Sequence, residues 1–185
     1  MGNFYTSVTV RGPRREDVIA AVQGLGYRAY VSSTIADLTV VCEERSDKQD
    51  RVIWLTVAKQ LSHKLGCPSV AFLNHDDDIL CYALCRNGTL LDEYNSSPGY
   101  WTGTKRLPSG GDARILCQAF GMPGNVVEAE QVLRKMPGEG GFLFELERHE
   151  ALMKALDWPE IPSAQGFKCV KEDGEETDPN WRLVS

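Results

Sequence analysis

No apolar run in this 185-residue chain exceeds a handful of residues, far short of the roughly 20 that cross a bilayer, so no membrane partner is expected. The opening residues Met1-Gly2-Asn3-Phe4-Tyr5-Thr6-Ser7 place no basic stretch ahead of an apolar one, so no export signal is expected either. Positive charge is also scarce. Twenty Lys and Arg stand against 26 Asp and Glu, a net charge of −6, and such a field repels phosphate backbones, so nucleic acid is not an expected partner. The one basic cluster, Arg11, Arg14 and Arg15, sits at a helix start and reads as a solvated turn.

Several chemical signatures are missing as well. The chain has six cysteines but no Cys-x-x-Cys, and dense disulfides belong to small exported domains. Cys81 and Cys85 share an expected strand, which sets them about 13 Å apart at ~3.3 Å per residue, too far for one zinc ion. Free, mostly buried thiols in a reducing cytoplasm are therefore expected. Gly-x-Ser-x-Gly is absent, and His149-Glu150 is followed by no second histidine in zinc-protease register. Glu145 and His149, at i and i+4, read as a surface contact. Pro108-Ser109-Gly110-Gly111-Asp112 lacks the Lys-Ser/Thr of a phosphate loop, and capping by Ser109 or Asp112 is its better reading.

What is present is ordinary globular material: 42% hydrophobic and 25% charged residues, close to the average for folded domains. Phe4 to Val10 alternates as a strand. Arg14 to Gly24 is helical, with Val18, Ile19, Val22 and Leu25 on one face. Tyr27 to Ser32 and Leu38 to Glu43 follow as strands. A helix from about Asp47 to Leu65 carries the stripe Val52, Ile53, Val57, Leu61 and Leu65, and Val70 to Asn74 is the next strand. This order predicts an α+β fold with a ferredoxin-like βαββαβ start. Ile79 to Cys85 and Leu90 to Tyr94 flank Asn87-Gly88, a strong signal for a type I′ hairpin, which extends the start into a mostly antiparallel sheet. Helices are expected over Asp112 to Phe120, Val126 to Lys135 and Phe144 to Leu156, and a last strand over Phe167 to Lys171. No composition shift splits the chain, so residues 1–185 read as one domain. A helical subdomain could begin near residue 109, and the acidic tail 172–185 is expected to be partly mobile.

Two stretches could carry function. Asn74-His75-Asp76-Asp77-Asp78 lies between two strands, where His75, Asp76 and Asp78 could hold Mg²⁺, Mn²⁺ or Ca²⁺; Asn and Asp also favour tight turns, and the turn is the preferred reading. Asp92-Glu93-Tyr94 ends a strand and leads through a Gly/Pro/Ser-rich loop to Tyr100 and Trp101. Exposed Tyr and Trp dominate recognition surfaces, and long loops on rigid sheets tend to carry function. A ring that folds back into the core is the alternative for Tyr100 and Trp101.

Leu73 to Asp78, Asp92 to Tyr100 and Ser109-Gly110-Gly111-Asp112-Ala113 together resemble a group of uncharacterised bacterial proteins. The resemblance implies a bacterial cytoplasmic protein and brings no activity, cofactor or catalytic residue. Two expectations follow from the residues. The first is a non-catalytic module of immunity or regulatory type, needing no cofactor, that binds a protein partner through an acidic, aromatic-rimmed surface formed by Asp92, Glu93, Tyr94, Tyr100 and Trp101. The second is a phosphoester hydrolase that holds a divalent metal ion at Asp76 and Asp78, with His75 or Asp92 as general base.

Overall fold

Strand β1 (Phe4–Arg11) sits near the middle of the sheet, and burial of both its faces sets the architecture. Val8 and Val10 point to one side, and the alternate residues Tyr5, Ser7 and Thr9 to the other. The computed structural model describes residues 2–121, 123–138, 140–172 and 179–185. The remaining strands are β2 (Ala29–Ser32), β3 (Leu38–Glu43), β4 (Pro68–His75), β5 (Ile79–Arg86), β6 (Thr89–Asn95), β7 (Ser109–Gly110) and β8 (Trp181–Val184). They form one open, antiparallel, eight-stranded sheet in the order β7-β6-β5-β4-β1-β3-β2-β8. Asn87 and Gly88 turn the β5–β6 hairpin at φ of 50° and 81°, the double positive φ of a type I′ turn.

Six α-helices among the described residues cover the sheet. α1 (Arg15–Gly24) and α2 (Arg51–Leu65) pack on the Val8/Val10 face, against Val31, Val41, Ala71, Leu73, Ala83 and Cys85. The opposite face carries α3 (Ala113–Phe120), α4 (Val126–Arg134) and α5 (Glu145–Ala155) over Val70, Phe72, Leu80, Tyr82 and Leu84. Beside them, α6 (Phe167–Glu172) packs on Tyr30, Val40 and Cys42. Strands covered on both faces need apolar residues throughout, hence the unbroken Val70-Ala71-Phe72-Leu73.

Four sequence expectations are corrected. The helix expected from Asp47 is two pieces: a 3-10 turn over Glu44–Lys48, then Gln49 in left-handed conformation, with Asp50 capping α2 through the N–H groups of Val52 and Ile53. The buried stripe of α2 is Trp54, Val57, Ala58 and Leu61, whereas Val52 is 72% exposed. Trp54, Val57, Ala58 and Leu61 fall at i, i+3, i+4 and i+7 and so share the covered face, which Val52 does not. Phe167 to Lys171 is helical because the Asp47 carboxylate accepts the N–H groups of Phe167 and Lys168, and Phe167 and Val170 then bury one face at a spacing of three. Trp181–Val184 adds β8 along β2, while residues 173–178 of the acidic tail lie outside the described residues.

Glu145 and His149 are the fourth correction, because both are buried. The Glu145 carboxylate accepts from Arg148, itself fully buried, whose guanidinium also donates to the Val132 and Lys135 carbonyls that end α4. His149 stacks on Phe72 with ring centres 4.3 Å apart. Its Nδ1 lies 2.6 Å from the Tyr5 hydroxyl and its Nε2 lies 3.2 Å from Ser163 Oγ. A neutral ring protonated at Nε2 satisfies both contacts, with Tyr5 donating. Burial lowers the imidazole pKa to about 3, whereas an unfolded histidine takes up its proton near pH 6.5. Between those values the unfolded chain binds the extra proton, so stability falls as pH falls. From pH 7 to pH 5 the native protein should lose about 2 kcal/mol more than His149→Gln does, measured by urea unfolding. Equal losses would contradict a neutral buried ring.

Candidate functional site

The register of the sheet assembles a groove on the face that α1 and α2 cover only in part. Pairing of β1 with β4 sets Phe4 beside His75. Pairing of β4 with β5 and of β5 with β6 aligns Leu73, Cys81 and Asn95 in one row, and Ala83 with Glu93 in the next. These residues share a face by strand alternation. α2 overlies the strands only as far as Trp54 and Arg51, and beyond it lies a cavity of about 580 Å³. Lys48, Gln49, Arg51 and Trp54 form one wall; Trp101, Ser109 and Gly110 form the other.

Gln49 anchors the first wall. Its side-chain amide donates to the Asn74 carbonyl at 2.7 Å, and its oxygen lies 2.7 Å from His75 Nδ1. With the proton on Nδ1, His75 Nε2 remains an acceptor. The imidazole is ringed by Phe4, Tyr100 and Trp101, at centroid distances of 5.1, 6.0 and 4.9 Å. Trp101 meets Tyr100 edge to face at 4.8 Å and is nevertheless 72% exposed. The Tyr100–Thr102 turn is held by N–H donation from Gly103 to Tyr100 and from Thr104 to Gly99. Trp101 therefore projects from an ordered turn.

Charge in the groove is mixed. Arg51 pairs with Glu93 across the mouth, and Lys48 makes no ion pair among the described residues. The Trp54 indole N–H is buried without an acceptor among the described residues. Cys81 lies on the floor, where burial, together with the nearby Glu145 and Glu93 charges, pushes its thiol up to about 12. It remains a protonated thiol at neutral pH and is not primed as a nucleophile.

The sequence candidates are thus divided. Glu93, Trp101 and His75 line the groove, and Tyr100 joins their aromatic rim. Tyr94 contributes to the lining, but its ring stacks on Tyr82 and its hydroxyl donates to the Leu133 carbonyl. Asp92 belongs to the opposite face, where its carboxylate accepts from the Tyr82 hydroxyl and the Asp112 N–H. Asp112 in turn caps α3. Sequence reasoning missed Phe4, Lys48, Gln49, Arg51 and Trp54. Only strand register and the phase of α2 bring them together, and no local motif marks them.

Asp76, Asp77 and Asp78 form a tight turn, with Asp76 and Asp77 at φ of 57° and 61°. Asp77 points inward and accepts from the Asn3 backbone and side chain, the Asn74 amide and the Leu146 N–H. Burial alone would raise its carboxyl, but these donors outweigh it and hold Asp77 below the ordinary carboxylate value. Asp78 accepts from the Tyr100 hydroxyl at 3.2 Å. Among the described residues no three His, Cys, Asp or Glu side chains are placed to share a metal ion. His75, Asp76 and Asp78 are therefore not gathered as a three-residue ligand set.

No protein-family model matches the chain, and no curated protein or solved structure is detectably similar to it.

The Asp77 carboxylate ties the β4–β5 turn to the chain start and to α5. Asp77→Ala strands several buried donors and should cost ~3 kcal/mol in chemical denaturation, whereas exposed Asp78→Ala should stay within about 0.5 kcal/mol. Because the folded value is depressed, the Asp77 contribution is present at neutral pH and lost as pH falls through that value. Equal effects from the two substitutions would show that the turn is solvated.

Proposed function

We propose that the chain is a non-catalytic binding module that captures a protein partner through the groove beside α2 and its aromatic rim. The observation that carries this reading is Trp101, which is 72% exposed yet fixed edge-on over His75 at the mouth of the groove. An ordered, exposed tryptophan beside Tyr100 and a half-exposed Phe4 has the composition of an interface anchor. The net charge of −6 would speed the approach of a partner with opposite overall charge. An immunity or regulatory role in the bacterial cytoplasm completes the proposal. Its supports are the unbridged thiols of Cys67, Cys81, Cys85 and Cys117, which suit a reducing compartment, and the absence from the described residues of any helix long and apolar enough to cross a membrane. We also read the elements from β1 to β4 as a ferredoxin-like unit. The support is their alternation of strands and helices, together with the local order β4-β1-β3-β2.

Trp101→Ala tests the functional reading. Its unfolding free energy should stay within about 0.5 kcal/mol of the native value, while retention of partner from native lysate on the immobilised protein is lost. Unchanged retention would remove the groove from the function. Loss of folding would place Trp101 in the core.

A further inference from the structure

The chain carries a net negative charge, but the groove does not. Its charged lining consists of Lys48, Arg51 and Glu93, a sum of +1 in a chain of net charge −6. Glu93 is already neutralised by Arg51, which leaves exposed Lys48 as the cation without a carboxylate among the described residues. The nearest acids in sequence are engaged elsewhere. Asp47 holds the N-terminus of α6 and Asp50 that of α2. Opposite Lys48, the second wall and the floor offer the exposed faces of Trp101 and Phe4.

We propose that the segment of the partner seated in this groove is acidic and aromatic: its carboxylate meets Lys48, and a neighbouring apolar or aromatic side chain lies against Trp101 and Phe4. This rests on the binding-module reading and adds the chemistry of the ligand. A volume of about 580 Å³ suits a few side chains of an extended segment and is too small for a folded element. Long-range repulsion from the acidic chain does not decide the contact, because fields are screened beyond about 8 Å at physiological salt. The partner as a whole can be basic while the inserted segment carries the carboxylate. Tyr100 and Asp78 are already joined by a hydrogen bond, so the aromatic rim keeps its shape when the segment enters.

The experiment is a selection of displayed random heptapeptides on the full-length protein, run in parallel on Trp101→Ala and Lys48→Glu, with circular dichroism confirming that each variant is folded. The expected result is enrichment of peptides with Asp or Glu next to an aromatic or large apolar residue, absent on Trp101→Ala. On Lys48→Glu the same synthetic peptides should bind about tenfold more weakly, because like charges then meet, and Lys- or Arg-bearing peptides should be enriched instead. Peptides that need Trp101 but carry no carboxylate, or that bind Lys48→Glu equally well, would overturn the acidic-segment proposal and leave the binding module standing. Absence of any peptide whose capture depends on Trp101 would overturn both.

Discussion

Two helices cannot cover one face of an eight-stranded sheet. α1 and α2 shield β1, β2, β3 and β4 together with the near half of β5, but the hairpin β5–β6 and the short β7 carry the sheet past the edge of α2. On the opposite face, three helices and α6 complete the cover. The mismatch leaves an uncovered strip, and the groove is that strip. Its floor is sheet, one wall is the beginning of α2, and the other is the loop that returns the chain from β6 to β7. The Tyr100-Trp101 turn stands where a third helix would otherwise sit, and it only partly closes the strip.

The rigidity of the strip comes from the buried polar links beside it. Gln49, in left-handed conformation between the 3-10 turn and α2, ties the helix start to β4 and fixes His75. Asp77 fastens the β4–β5 turn to the chain start and to α5. Tyr5, Asn74 and His149 continue this chain of contacts into the layer of α3, α4 and α5. Each such group is satisfied by protein, which makes the arrangement specific as well as stable. A rigid frame with one exposed aromatic rim suits recognition, since little ordering entropy is spent on binding.

Much of the fold was legible because it follows from short-range rules. Alternation located β1 and short apolar runs located β3, β4 and β5; Asn87-Gly88 located the hairpin; Asp112 was legible as one of two candidate caps, with Ser109. The failures share a physical cause, which is that tertiary contact overrode local pattern. Phe167 to Lys171 reads as a strand by composition, but Asp47, distant in sequence, caps it as a helix. A polar pair such as Glu145 and His149 reads as surface until Arg148, Tyr5 and Ser163 supply its partners. Val57 and Leu61 of α2 are buried as the periodicity predicts, but Trp54 and Ala58, not Val52, complete the face that the sheet covers. Of the site, Glu93, Tyr100 and Trp101 were visible as an aromatic loop after a polar strand end. Phe4 was invisible because only pairing register sets it beside His75, and Lys48 because only the 3-10 turn before α2 carries it to the groove.

The four tryptophans offer the most direct test. Trp54 and Trp101 line the groove, whereas Trp158 donates to the Phe120 carbonyl and Trp181 packs edge-on to Tyr30 on the opposite face. In a ¹⁵N–¹H spectrum each gives a separate indole signal. On titration with the partner captured from lysate, the Trp54 and Trp101 signals should shift while those of Trp158 and Trp181 stay in place. Shifts confined to Trp158 or Trp181 would place recognition on the other face and contradict the groove as the working surface.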